Sequence, residues 1–105
     1  MAPLTESLED LIRETKVLLV LFGEDTCGPC RALRKKLDIW LDAHPDVRGR
    51  YAEVGDHLSL CAQRGIFSGP ALVLYMDGKE TARASGHFSL DVFLARTERY
   101  MEMRK

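Results

Sequence analysis

The sequence predicts an α/β fold: a four-stranded mixed sheet with helices on both faces, in the element order αβαβαββα. Three observations lead there. The apolar run VLLVLF at 17 to 22 lacks polar alternation and suits a strand buried on both faces, and ALVLYM at 71 to 76 reads as a second apolar strand. Helical periodicity flanks the first run, which implies a parallel neighbour reached by a right-handed helical crossover. Asp77-Gly78, directly after the second run, is a strong hairpin signal because both residues accept positive φ.

Leu4, Leu8, Leu11 and Ile12 recur at helical spacing, with Thr5 and Ser7 available as caps, so residues of about 4 to 15 read as an amphipathic helix. The strand at 17 to 22 ends in the glycine-containing stretch 23 to 28. Leu33, Leu37, Trp40 and Leu41 then mark a second helix that starts at the cysteines and stops near Ala43, because Pro45 disfavours the helical conformation at His44. Arg50 to Val54 is short and mixed, consistent with an outer strand. Asp56 is placed to cap a short helix carrying Leu58, Cys61 and Ala62, with Gly65 to end it. After the strand at 71 to 76, Lys79 to Ser85 returns antiparallel. Ser89 caps a last helix with Asp91 in its first turn and Leu90, Phe93, Leu94, Thr97 and Met101 as its buried stripe.

Composition narrows the function classes. With 105 residues, no repeats and no linker-like stretch, residues 1–105 read as a single domain. A chain of this size buries roughly 65% of its unfolded surface and supports a core without staples. Fifteen Lys plus Arg against 16 Asp plus Glu leave a net charge of −1, which argues against a nucleic-acid or anionic-membrane partner. Arg31, Arg34, Lys35 and Lys36 read as the solvated face of a helix. The longest apolar run is far below the roughly 20 residues of a membrane span. Acids near the start, in MAPLTESLEDLIRETK, do not suit a signal peptide, so a cytoplasmic location is expected.

Three cysteines are too few, and odd in number, for a secreted disulfide framework. Cys27 and Cys30 stand at the strand-to-helix junction in TCGPC. There the unpaired backbone N–H groups and the helix dipole favour a thiolate at Cys27. Gly28 lets the chain turn, and Pro29 fixes φ where a missing N–H costs little. Cys30, one turn in, is more shielded. The expected pair is asymmetric, with Cys27 attacking and Cys30 resolving a mixed disulfide. A CxxC is also half of a zinc site, but Cys61 is the one candidate third cysteine ligand and no second pair completes the set, so no metal is expected. Cys61 reads as a packed small hydrophobe, and His44 and His57 as surface or capping residues.

CGPC after an apolar strand, GIFSGPALVLYMDGK at 65 to 79 and Gly86 before the last helix together resemble the thioredoxin family, from about residue 4 onward. The resemblance implies a thioredoxin-like fold, here without the N-terminal strand of many members. It also implies thiol-disulfide oxidoreductase activity that reduces protein disulfides. In that likeness Cys27 is the nucleophile, Cys30 the resolving cysteine, and Cys27-Cys30 the redox-active disulfide, with Thr26, Gly28 and Pro29 supporting it. Pro70 resembles the family's cis-proline opposite the disulfide. Gly69 would pair with an extended substrate segment, and Gly86 and His87 would border the same groove. No bound cofactor is implied. Partners would be protein disulfides, with thioredoxin reductase or a low-molecular-weight thiol as electron donor. The chain departs from the family in carrying Thr26 and Gly23 where tryptophans are usual, and Lys35 for a helix-kinking proline. Leu21 replaces a buried aspartate and Tyr51 its lysine neighbour, which leaves proton transfer to water, Glu24 or Asp25. These losses motivate a rival expectation: a non-enzymatic binding, chaperone or redox-sensing module with a vestigial dithiol.

Overall fold

Every residue of β2 (Val17–Gly23) is buried, as the unbroken apolar run requires of a strand covered on both faces. A computed structural model describes residues 1–104 and places β2 at the centre of a five-stranded sheet. The other elements, in chain order, are β1 (Ala2–Pro3), α1 (Leu8–Glu14), α2 (Gly28–Asp42), β3 (Arg48–Glu53), α3 (Leu58–Gln63), β4 (Ala71–Met76), β5 (Lys79–Ser85) and α4 (Leu90–Met103). The sheet order is β1-β3-β2-β4-β5. β1 and β2 pair with β3 in parallel, whereas β4 pairs with β2 and β5 antiparallel.

Alternate residues of the central strands feed two cores. Leu18, Val20 and Phe22 pack with Leu8 and Leu11 of α1 and Cys61 of α3. Val17, Leu19 and Leu21 pack with Leu37 of α2 and Leu90, Phe93 and Leu94 of α4. Helices therefore cover both faces, two on each.

The expected caps form at two helices. Ser7 accepts from the Asp10 N–H, so α1 begins at Leu8 rather than near residue 4. Ser89 accepts from the Val92 N–H at the start of α4. Asp77 and Gly78 turn the β4–β5 hairpin with φ of 51° and 85°, as a tight turn of this kind requires.

Other expectations need correction. The sheet has five strands, not four, because Ala2 and Pro3 add to the far side of β3. The Leu4 N–H extends that pairing to the Tyr51 carbonyl at 2.7 Å, and Arg50 of β3 binds the Glu6 carboxylate. Two exposed residues carry no apolar alternation, so nothing local marked them as a strand. For the same reason β3 is not the outermost strand, and it runs from Arg48 to Glu53, with Val54 already in a 3-10 turn that extends to Asp56. Asp56 does not cap α3; His57 holds the capping position without a side-chain hydrogen bond. No described helix is long and apolar enough to cross a membrane.

Leu19 is fully buried in the central strand, so Leu19→Ala should lower unfolding free energy by about 2–5 kcal/mol, read as a lower urea midpoint at unchanged slope.

Candidate functional site

β2 ends at Gly23, and the chain turns once before α2, with the Cys27 N–H bonded to the Glu24 carbonyl at 2.9 Å. Cys27 is the N-cap of α2 in extended backbone, and its Sγ accepts the Cys30 N–H at 3.2 Å. A cysteine sulfur thus occupies the place where a serine or aspartate oxygen would normally satisfy an orphan helix donor. Gly28 and Pro29 form the first two helical positions, where the missing proline N–H leaves no helical bond unmade.

The two thiols differ in setting. Cys27 is half-buried and Cys30 has no exposed surface. Burial, and then the neighbouring Cys27 sulfur, push the Cys30 thiol up to about 11, partly offset by the Glu24 backbone. Cys30 is therefore a protonated reserve at neutral pH. Cys61 is buried on the opposite face of the sheet from α2, and burial raises its thiol too. It packs in the core as expected, apart from the CxxC.

The Gly69–Pro70 peptide is cis, as the resemblance implied for Pro70. A Cβ on Gly69 would lie 2.7 Å from Gly23 Cα and 3.2 Å from Cys30 Sγ, so the loop before β4 lies directly on the CxxC helix and the end of β2. Gly86 has φ of 68° and donates its N–H to the Pro70 carbonyl at 3.0 Å, which brings the end of β5 to the same place. Cys27, Cys30, Gly69, Pro70 and Gly86 are thereby gathered at one end of the sheet. Thr26, Gly28 and Pro29 form the exposed shoulder beside them, and His87 lies in the exposed loop beyond Gly86.

Two residues that sequence reasoning gave no active role stand beneath Cys30. A Cβ on Gly23 would meet the Tyr51 hydroxyl at 2.9 Å and Cys30 Cβ at 3.1 Å. Tyr51 Oη donates to Glu53 Oε2 at 3.3 Å, and the Asp25 N–H donates to the other Glu53 oxygen at 3.1 Å. Tyr51 stands opposite Leu21 in the β2–β3 register, so these two departures from the resemblance are neighbours. Burial, and then Glu53, push the Tyr51 hydroxyl up to about 12. The period-2 placement of Tyr51 and Glu53 on one face of β3 was the available signal, but which neighbour that face meets is a long-range fact.

The Thioredoxin family model matches residues 3–98. The thioredoxin of Mycoplasma genitalium is 30% identical over 81 residues, covering 77% of this chain and 79% of that protein. Thioredoxin-2 of Pyricularia oryzae is 27% identical over 81 residues, 77% of this chain but 47% of that protein. The chain thus spans about half the length of the Pyricularia relative. A mutant thioredoxin from Halobacterium salinarum superposes with a TM-score of 0.82 at 26% identity, over 95% of this chain and 88% of that one. The chain belongs to the thioredoxin family. With its two neighbouring cysteines it is a thiol-disulfide oxidoreductase.

Two outcomes test this geometry. Gly69→Ala should cost about 1–3 kcal/mol of stability, the usual range for forcing atoms into filled space, since backbone and not a flexible side chain stands 2.7 Å away; thermal unfolding reads it. Alkylation of Cys30 in the reduced protein, followed by mass spectrometry, should keep rising with pH to about 11. A plateau near pH 9 would contradict the burial account.

Proposed function

We propose that this chain reduces protein disulfides through the CGPC dithiol, working as one domain in the cytoplasm. The observation that carries the reading is the asymmetry of the pair: Cys27 is accessible at the helix N-terminus, and Cys30 is sealed behind it within reach of its sulfur. The Cys27 thiolate attacks a substrate disulfide, forming a mixed disulfide and expelling one substrate thiolate. Cys30 then loses its proton and attacks Cys27 Sγ, which expels the second substrate thiolate and leaves a Cys27-Cys30 disulfide. An external electron donor, either thioredoxin reductase or two molecules of a low-molecular-weight thiol that leave as their disulfide, returns two electrons. No cofactor is needed within the chain.

Support for the substrate side comes from the neighbourhood of Pro70. The Gly69 backbone borders Cys30 and is only half-buried, so an extended peptide can hydrogen-bond there while its disulfide meets Cys27. Gly86, and His87 beyond it, border the same groove, with Thr26 opposite in place of a larger aromatic wall.

Cys27→Ser should abolish reduction of a protein disulfide, whereas Cys30→Ser should retain the first attack and accumulate covalently trapped substrate on non-reducing gels. Equal turnover by wild type and Cys27→Ser would sink the reading.

A further inference from the structure

Resolution of the mixed disulfide requires Cys30 to give up a proton, yet the thiol is fully buried and its pKa is raised. One polar side chain does reach this point from β3. The Tyr51 hydroxyl and Cys30 Cβ both touch the position of a Gly23 Cβ, so they are no more than about 6 Å apart, a span that a single water can connect to the thiol. The absence of a side chain at Gly23 leaves the room that the Tyr51 hydroxyl takes up beside Cys30.

We propose that Tyr51 and Glu53 form the proton exit for Cys30 in the thiol-disulfide exchange described above. The proposal rests on that reading and adds its second step. Cys30 S–H breaks as Cys30 Sγ bonds to Cys27 Sγ and the substrate sulfur leaves as a thiolate. The proton passes through the bridging water to the Tyr51 oxygen while the Tyr51 proton moves to Glu53. Tyr51 is neutral before and after, so its raised pKa is no obstacle. Glu53 then releases the proton to solvent.

Three further features fit a proton route. Each Glu53 oxygen accepts one hydrogen bond, from Tyr51 and from the Asp25 N–H, so the carboxylate is oriented by the loop that leads into the CxxC. The Arg34 guanidinium lies 4.2 Å from the Tyr51 ring centroid and fixes the ring from the α2 side. Tyr51 and Glu53 also line a surface cleft of about 400 Å³, in which solvent meets the carboxylate. The charged or titratable groups facing this unit are Asp25 and Glu24 from the loop, Cys30 and Arg34 from α2, and Asp56 and His57 after β3.

The test separates the two chemical steps. Reduced wild type, Tyr51→Phe and Glu53→Gln are mixed with oxidised glutathione, quenched in acid at intervals, and resolved by mass into mixed and intramolecular disulfides. Formation of the Cys27 mixed disulfide reads the first attack; its collapse reads Cys30. At pH 7 collapse should slow about a hundredfold in both variants, the low end of what general acid-base assistance contributes. The gap should close as pH rises toward the Cys30 value of about 11. The double variant should be no slower than either single one, since both lie on one route, and Glu53→Asp should recover part of the rate. Unchanged collapse, or a slowing constant across pH as simple misplacement of Cys30 would give, overturns the relay while leaving the reductase reading intact. Failure of wild-type Cys27 to form any mixed disulfide overturns both.

Discussion

Close approach of two glycines governs the working end of this molecule. Gly23 closes the central strand and Gly69 precedes the cis-proline, and a methyl group on Gly69 would fall 2.7 Å from Gly23 Cα. Only bare backbone at both positions lets the loop before β4 settle against the end of β2. That contact seals Cys30 from one side and places a half-buried peptide edge against it. It also leaves room for the Tyr51 hydroxyl from below. Seal, groove and polar access to the buried thiol therefore depend on one packing constraint.

The same constraint divides labour between the cysteines. At the mouth of α2, Cys27 faces the partial positive charge of the first turn and part of its surface meets solvent. One turn deeper, Cys30 is held as a neutral thiol by exclusion of water. Near-neutral overall charge supplies no strong field to gather substrates. In the proposed reduction of protein disulfides, selection then falls to the short backbone edge at Gly69 and to the exposed shoulder from Thr26 to Pro29.

Much of this was legible in the amino-acid order because the signals were local. An unbroken apolar run followed by glycine, CGPC and an amphipathic helix placed the thiols at a strand-to-helix junction, and Asp77-Gly78 and Ser89 marked a hairpin and a cap. Pro70 and Gly86 were recognised by resemblance, and both lie at the site. The features without a local signal are long-range. Ala2 and Pro3 become a strand only because β3 offers an open edge. Asp56 is taken up in a 3-10 turn before it can cap α3. Glu24 and Asp25 lie close to the cysteines in sequence, whereas Tyr51 reaches Cys30 from a distant part of the chain through sheet register and carries Glu53 with it.

The place of the single tryptophan has a spectroscopic consequence. Trp40 lies ten residues beyond Cys30 on α2, about 15 Å along the helix axis at 1.5 Å per residue. Its indole stacks on His44 with ring centroids 3.7 Å apart. Intrinsic emission from this chain is thus sensitive to the C-terminal end of α2 and to the state of one imidazole, and is largely blind to whether the two sulfurs are joined. Optical changes in this protein report folding, while its electron count must be read from the thiols themselves.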